Sequence, residues 1–378
     1  MKQLRSALLA LLLTLSLAVP AAAEELAVDV QACLLMEKAT GEVLYAVNEH
    51  EQLEPASVTK VMTLLLVMEA IDSGALGYDD VVTASAYACS MGGSQIWLEE
   101  NEQMTVEDLL KAVCVASAND ASVALAEHVA GSAEAFVEKM NQRAAELGMA
   151  DTHFVNPTGL PAEGHVTSAY DIALMSRELI LHHPDIRRFT TIWMDSLRDG
   201  AFGLSNTNKL IRYYEGATGL KTGSTDNALY CLSATAERDG MELIAVILKS
   251  PTSTQRFESA KVLLNYGFAA YGLAHIEPEA PLAPIPVTLG TAAAVTPEIS
   301  GDRELLLTRD KLGALTVQTQ LEPSLAAPVE KGQQVGTLTV SAGDEVLAEL
   351  PLVAAEGVER LSYGAILLRC LRMAFLGG

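Results

Sequence analysis

The sequence predicts an α/β (α+β) protein. An antiparallel sheet flanked by helices is followed by a small all-β domain and a terminal amphipathic helix. Three observations predict this. Strand-like runs lie near residues 30–47 and again at 229–248, with helical periods between them, so both ends of the first domain can share one sheet. Arg238-Asp239-Gly240 joins the second pair of runs as a D-G hairpin signal. Pro278, Pro281, Pro284 and Pro286 crowd a boundary, beyond which short β-branched runs alternate with turn residues.

The chain has 378 residues, half of them apolar, enough for two or three domains with a sizeable core. Its start stands apart. Lys2 and Arg5 precede an apolar stretch from Ala7 to Val19 and then Pro20-Ala21-Ala22-Ala23, the pattern of a secretory signal cut after Ala23. The expected division is a signal peptide at 1–23, a first domain at 24–277, a β-rich domain at 278–355 and a helix at 356–378. The formal net charge of −23 becomes more negative once Lys2 and Arg5 are removed. That argues against nucleic acid and against unaided binding to anionic lipid, and suits a soluble, extracytoplasmic protein. Cys33, Cys89, Cys114, Cys231 and Cys370 form no C-x-x-C and are odd in number, so no disulfide framework is expected. Cys33, Cys114 and Cys231 sit in apolar runs, as small buried hydrophobes do. The histidines show no H-E-x-x-H and no paired ligand spacing, so neither metal nor cofactor is expected.

In chain order, Val30 to Met36 and Glu42 to Val47 read as a hairpin about a turn at Lys38-Ala39-Thr40-Gly41. The next apolar run has Val58, Val61, Met62, Leu65 and Met68 at helical spacing, with Pro55 ahead of it and Gly74 as its stop. Residues 78–104 have no long period, and Ser90-Met91-Gly92-Gly93-Ser94 reads as a loop. Thr105-Val106-Glu107-Asp108 resembles a capping box before a helix through Leu109, Leu110 and Val113. That helix breaks at Ala116-Ser117-Ala118-Asn119-Asp120. A second runs to Gly131, and a third from Ala133 to Leu147 stops at Gly148. Asn156-Pro157-Thr158-Gly159 is a turn, and Ser168 caps a helix to about Leu181. Residues 186–218 are mixed. Strands from Leu229 to Ala236 and Met241 to Leu248 precede a closing helix from Thr254 to Phe268. The tail from Val358 to Leu376 is apolar on most sides of a helix, interrupted by Arg360, Arg369 and Arg372. It is too charged to span a membrane comfortably and reads as an interfacial helix, the rival being a helix docked on the protein.

Ser57 lies in the first turn of the first helix, with Lys60 three residues on. That spacing puts them on one face, so the hydroxyl and the amine can meet. The helix N-terminus favours an oxyanion nearby. A serine nucleophile with a lysine base is the chemistry such a pair allows. Ser57 is the only serine with a lysine three residues later. Ser117-Ala118-Asn119 sits in the break between two helices, and Lys221-Thr222-Gly223 leads into a hairpin strand. The set S-x-x-K, S-x-N and K-T-G, in this order, matches the signature of penicillin-binding proteins and class A β-lactamases.

On these motifs the chain resembles the low-molecular-mass penicillin-binding proteins, the serine-type D-alanyl-D-alanine carboxypeptidases of the penicillin-binding and β-lactamase superfamily. The segments Pro55 to Thr63, Ser117 to Ser122, Asn156 to Leu160 and Gly219 to Gly223 are similar to that family's counterparts. The β domain and the amphipathic tail resemble its C-terminal module and membrane anchor. Ala118 departs from the pattern, since many members carry glycine or aspartate there. The resemblance implies a β-lactamase/transpeptidase-like domain in which Ser57 attacks the penultimate D-alanine carbonyl and forms an acyl-enzyme. Lys60 would serve as its base once burial and the like charge of Lys221 lower its pKa. Ser117 would relay the proton to the departing D-alanine, and Asn119 would hold the peptide amide. The backbone N–H groups of Ser57 and Ser224 would form the oxyanion hole. Lys221 and Thr222 would grip the terminal carboxylate, with Arg256 adding to that grip or standing as a solvated surface residue, and Gly223 and Ser224 would also belong to the substrate-binding set.

The partners implied are peptidoglycan stem peptides, β-lactam antibiotics and, through the tail, the outer face of the cytoplasmic membrane. A β-lactamase is the nearest rival, but its deacylating glutamate has only Glu138 as a candidate, inside a regular helix. D,D-endopeptidase action on cross-links is a second rival, and a penicillin-binding sensor without turnover is a third.

Overall fold

A computed structural model describes residues 26 and 28–376. The expected leader at 1–23 lies outside these residues, as do the side chains of Arg369 and Arg372. Strands β1 (Ala32–Glu37) and β2 (Val43–Val47) form the expected hairpin, and the first long helix is α1 (Lys60–Asp72). Helices α2 (Val106–Ala116), α3 (Asn119–Ala130), α4 (Ala133–Glu146) and α5 (Ala169–His182) follow. Three strands, β3 (Ala217–Thr225), β4 (Leu229–Arg238) and β5 (Met241–Ser250), precede the closing helix α6 (Ser253–Ala270).

The five strands make one antiparallel sheet in the order β2-β1-β5-β4-β3. The chain ends of this region therefore meet in its middle, where Ala32 pairs with Leu248 and Glu37 with Leu243. Side chains alternate across a strand, and both faces of β1 are covered. Ala32, Leu34 and Met36 join a core with Ile244, Val246, Leu248 and α1. Cys33 and Leu35 face the other way, into a core with Leu243, Ile247, Leu263, Leu264 and Phe268 of α6. A strand buried on both faces reads as an unbroken apolar run, as Ala32 to Met36 does. The β4–β5 turn has Asp239 at φ +51 and Gly240 at φ +80, the pair of positive angles that a D-G hairpin supplies.

The caps follow the sequence. The side chains of Thr105 and Ser168 accept the N–H groups of Asp108 and Asp171 at the starts of α2 and α5. The mixed stretch after α5 resolves into two four-residue helices and a hairpin, Met194–Leu197 with Phe202–Ser205.

Beyond α6 the structure is mainly strands. Tyr271–His275 pairs with Glu304–Thr308. A four-stranded antiparallel sheet contains Pro297–Ile299, Glu345–Ala354, Gln334–Ala342 and Leu315–Leu321 in that order. The terminal helix α7 spans Tyr363–Leu376, starting later than the sequence suggested. Val358 exchanges both backbone hydrogen bonds with Val329 at 2.8 and 2.9 Å, which ties the expected start of the helix to the β region instead. Among the described residues no helix is long and apolar enough to cross a membrane.

Candidate active site

The nucleophile turn departs from the expected α-helical start. Ala56–Thr59 is a 3-10 turn, and α1 begins only at Lys60. Ala56 sits at φ +47, a left-handed conformation that costs an alanine about 1–2 kcal/mol. Two glycines show what holds it. A Cβ on Gly159 would overlap the Ala56 carbonyl oxygen at 1.8 Å, and one on Gly223 would stand 2.8 Å from the Ser57 backbone nitrogen. The turn is thus wedged between the 156–160 loop and β3.

Lys60 is fully buried, and its Nζ stands 2.9 Å from Ser57 Oγ and donates to the Thr158 carbonyl at 2.7 Å. Burial holds its amine well below the usual lysine range, and the charge of Lys221 adds to this against a smaller opposing effect of Asp120. The Thr158 carbonyl is placed by an Asx turn in which Asn156 Oδ1 accepts the N–H groups of Thr158 and Gly159. Thr63 donates to the Pro157 carbonyl at 2.7 Å and pins the same loop to α1. Behind it, His165 Nδ1 accepts the Val155 N–H, so Nε2 carries the proton and donates to Thr59 Oγ1 at 2.8 Å. Burial pushes His165 down to about 4.

Ser57, Ser117, Thr222, Gly223, Ser224 and Arg256 line one cleft of about 250 Å³, with Ser94, Thr207, Tyr230 and Ser253. Ser117 closes α2 in a left-handed conformation, φ +63, which turns it out of the helix. Asn119 opens α3. Its Nδ2 donates to the Gly92 carbonyl at 2.6 Å, while its buried Oδ1 has no hydrogen-bond partner among the described residues. A buried amide oxygen without a donor is suited to accept a substrate N–H. Lys221 is buried with Nζ donating to the Thr222 carbonyl, and burial pushes it down to about 7. The nearby Cys114 thiol opposes this shift and the Arg256 charge adds to it.

Arg256 is buried, not solvated. Its Nη1 donates to the Gly223 and Cys231 carbonyls at 3.1 and 3.2 Å, bridging β3 and β4, and burial pushes it down to about 10.

Four further contributors have roles that the sequence does not spell out, although Asp120 and Thr158 lie inside the motif segments. Asp120 is buried and accepts the N–H groups of Ile96 and Leu98, fixing the loop that runs on from Ser94. Thr207 Oγ1 accepts the Thr222 hydroxyl at 2.7 Å. Thr158 acts through a carbonyl and His165 through a buried ring. Such roles depend on partners distant in the chain, which no local spacing encodes. Among the described residues no cluster of His, Cys, Asp and Glu could hold a metal ion.

Comparison with known proteins identifies the chain's relatives. The family model described as D-alanyl-D-alanine carboxypeptidase matches residues 19–252, and that of the penicillin-binding protein 5 C-terminal domain matches 280–360. The chain is 41% identical to D-alanyl-D-alanine carboxypeptidase DacF of Bacillus subtilis, covering 98% of both chains. It is 34% identical to DacC of Escherichia coli, over 88% of this chain and 85% of that one. The crystal structure of penicillin-binding protein 5 from Haemophilus influenzae superposes with a TM-score of 0.76 at 30% identity, covering 88% of this chain and 98% of the other. Penicillin-binding protein D2 from Listeria monocytogenes, in its ampicillin-bound form, gives 0.59 at 33% identity over 64% of this chain and 99% of that one. These matches place the chain, with its serine wedged against a buried lysine and a C-terminal β region of matching type, in the D-alanyl-D-alanine carboxypeptidase family.

Proposed function

We propose that the protein is a serine-type D-alanyl-D-alanine carboxypeptidase that removes the terminal D-alanine from peptidoglycan stem pentapeptides and is acylated by β-lactams. The observation that carries this is Lys60 Nζ, buried and 2.9 Å from Ser57 Oγ. Ser57 Oγ attacks the penultimate D-alanine carbonyl while Lys60 takes its proton. The tetrahedral oxyanion lies between the N–H groups of Ser57 and Ser224, each such donor being worth about 3 kcal/mol. Collapse of the intermediate breaks the peptide bond, and Ser117 passes a proton to the departing amine of D-alanine. Water then hydrolyses the ester on Ser57. Asn119 Oδ1 accepts the substrate amide N–H. Lys221 and Thr222 hold the terminal carboxylate with Gly223 between them and Ser57, which confines the enzyme to chain ends. Arg256 adds positive charge and fixes the Gly223 carbonyl. This reading favours hydrolysis over a sensor without turnover, because a lysine held well below its usual pKa range by burial stands 2.9 Å from the serine.

The same reading assigns 1–23 to a cleaved signal peptide, 24–277 to the peptidase domain, 278–355 to a β-rich domain and 356–378 to a membrane-associating tail. The strand Tyr271–His275 crosses the 277/278 division to pair with Glu304–Thr308. Exposure of Tyr363, Leu367, Leu368 and Leu371 supports the tail's role on the outer face of the cytoplasmic membrane.

A fluorescent penicillin should label the protein covalently, and a pentapeptide ending in D-Ala-D-Ala should yield free D-alanine. Ser57→Ala should abolish both, and labelling of that variant would refute the mechanism. Truncation after Glu356 should move the protein from the membrane to the soluble fraction, and no shift would refute the anchor.

A further inference from the structure

Trp97 is a large apolar residue held in a left-handed backbone conformation, φ +59, and is 67% exposed. A bulky residue rarely adopts that conformation without a local reason. Burial is not the reason here, because the neighbours Ile96 and Leu98 are the ones that pack inward.

The backbone around the indole is clamped from both sides. The Asp120 carboxylate accepts the N–H groups of Ile96 and Leu98, at 3.1 Å each. Arg198 donates to the Ile96 carbonyl at 2.9 Å and to the Trp97 carbonyl at 3.3 Å, and is itself paired with Glu102. None of these bonds uses the indole. Strain that the surroundings over-determine, around a side chain left free, marks a functional position.

The position is close to the cleft. Ser94 lines it and accepts the Asn119 N–H at 2.7 Å, and three residues of chain span at most about 10 Å. Glu99 and Glu100, both exposed, follow the indole directly. An aromatic face beside carboxylates attracts a cation. In stem peptides, the residue before D-Ala-D-Ala is a diamino acid with a side-chain amine, and it enters on the acyl side, where Asn119 stands.

We propose that Trp97 is a specificity-determining residue whose indole receives the ammonium-bearing side chain of the stem's diamino acid. This rests on the carboxypeptidase reading above. The test compares D-alanine release from Nα-acetyl-L-Lys-D-Ala-D-Ala and from its Nε-acetylated form. The natural protein should favour the free amine in kcat/KM by about five-fold, the effect of a cation–π contact of about 1 kcal/mol. Trp97→Ala should bring the ratio near one, and Trp97→Phe, which keeps a ring face, should retain part of it. Covalent labelling by penicillin verifies that each variant has assembled its site. A ratio unchanged in Trp97→Ala, or near one in the natural protein, overturns the proposal. Absence of D-alanine from both peptides would instead refute the carboxypeptidase reading.

Discussion

Gly223 runs so close to the nucleophile turn that a methyl group on it would stand 2.7 Å from the Pro55 carbonyl oxygen and 2.8 Å from the Ser57 nitrogen. Strand β3 and the nucleophile are therefore set against each other by backbone contact, with no side chain between. Gly223→Ala should push them apart. Overpacking of this kind costs about 1–3 kcal/mol of stability, and a displacement near 1 Å at the reacting atoms costs on the order of 100-fold in rate. Penicillin acylation kinetics and the thermal midpoint measure the two effects, and normal acylation would refute this account of the contact.

Lys60 and Lys221 predict the pH profile. Lys60 works as a base only when neutral, so kcat/KM should fall on the acid side as it takes up a proton. Lys221, pushed down to about 7, holds a carboxylate only when charged, so activity should also fall on the alkaline side. Because the charge of Lys221 lowers the pKa of Lys60, the acid limb depends on both amines. Lys221→Ala removes a like charge beside Lys60 and should move the acid limb of the residual acylation to higher pH. A limb that stays in place would show that the two amines are not coupled.

His165 predicts acid sensitivity. Its value in the folded protein, about 4, lies below the ordinary 6.5, so the unfolded chain binds the proton first. Its stabilisation is complete above about 6.5 and is lost as pH falls toward 4, by up to about 3 kcal/mol. Protonation would set a second N–H against the N–H of Val155. Urea unfolding at pH 7.5 and 4.5 should show this difference, reduced in His165→Gln. An equal pH dependence in both proteins would rule His165 out as its source.

Arg256 predicts that lysine does not replace it. A guanidinium can bridge two carbonyls, and an ammonium on a flexible stem cannot hold the same pair in fixed geometry. Arg256→Lys should therefore lose most of what Arg256→Ala loses, about 2 kcal/mol of stability and on the order of ten-fold in kcat/KM. Full rescue by lysine would show that charge alone matters.

The elements and the motifs were legible to different degrees. α2 to α5 announced themselves through caps such as Thr105 and Ser168 and through apolar periods, because both signals are local. Ser57, Lys60, Ser117, Asn119 and Lys221 were legible as candidates for the same reason; Ser57 and Ser117 line one cleft, and Lys60, Asn119 and Lys221 are buried behind it, bonded to Ser57, Ser94 and Thr222. The 3-10 turn at Ala56–Thr59 was not legible. It is imposed by Gly159 and Gly223, which lie far along the chain. Residues 186–218 were opaque because their short helices and hairpin are fixed by tertiary bonds, such as Asn206 to the Ile192 carbonyl and Asn208 to the Gly219 carbonyl. The tail misled at its start because Val358 is apolar for the sake of a β bridge.

The pairing of β1 with β5 also governs how this chain must fold. Ala32 and Leu248 are neighbours in the finished sheet but are more than two hundred residues apart in the chain. At synthesis rates of about 5–20 residues per second, β1 waits roughly 10–40 s before its partner exists. Until then a strand that is apolar on both faces has no complete place to dock. The helices between can form early, but the central strand pair closes only when the last third of the domain arrives. An incomplete chain therefore leaves β1 paired on one edge only, with β2, and a truncation anywhere before Ser250 should be prone to aggregate before it shows any loss of chemistry.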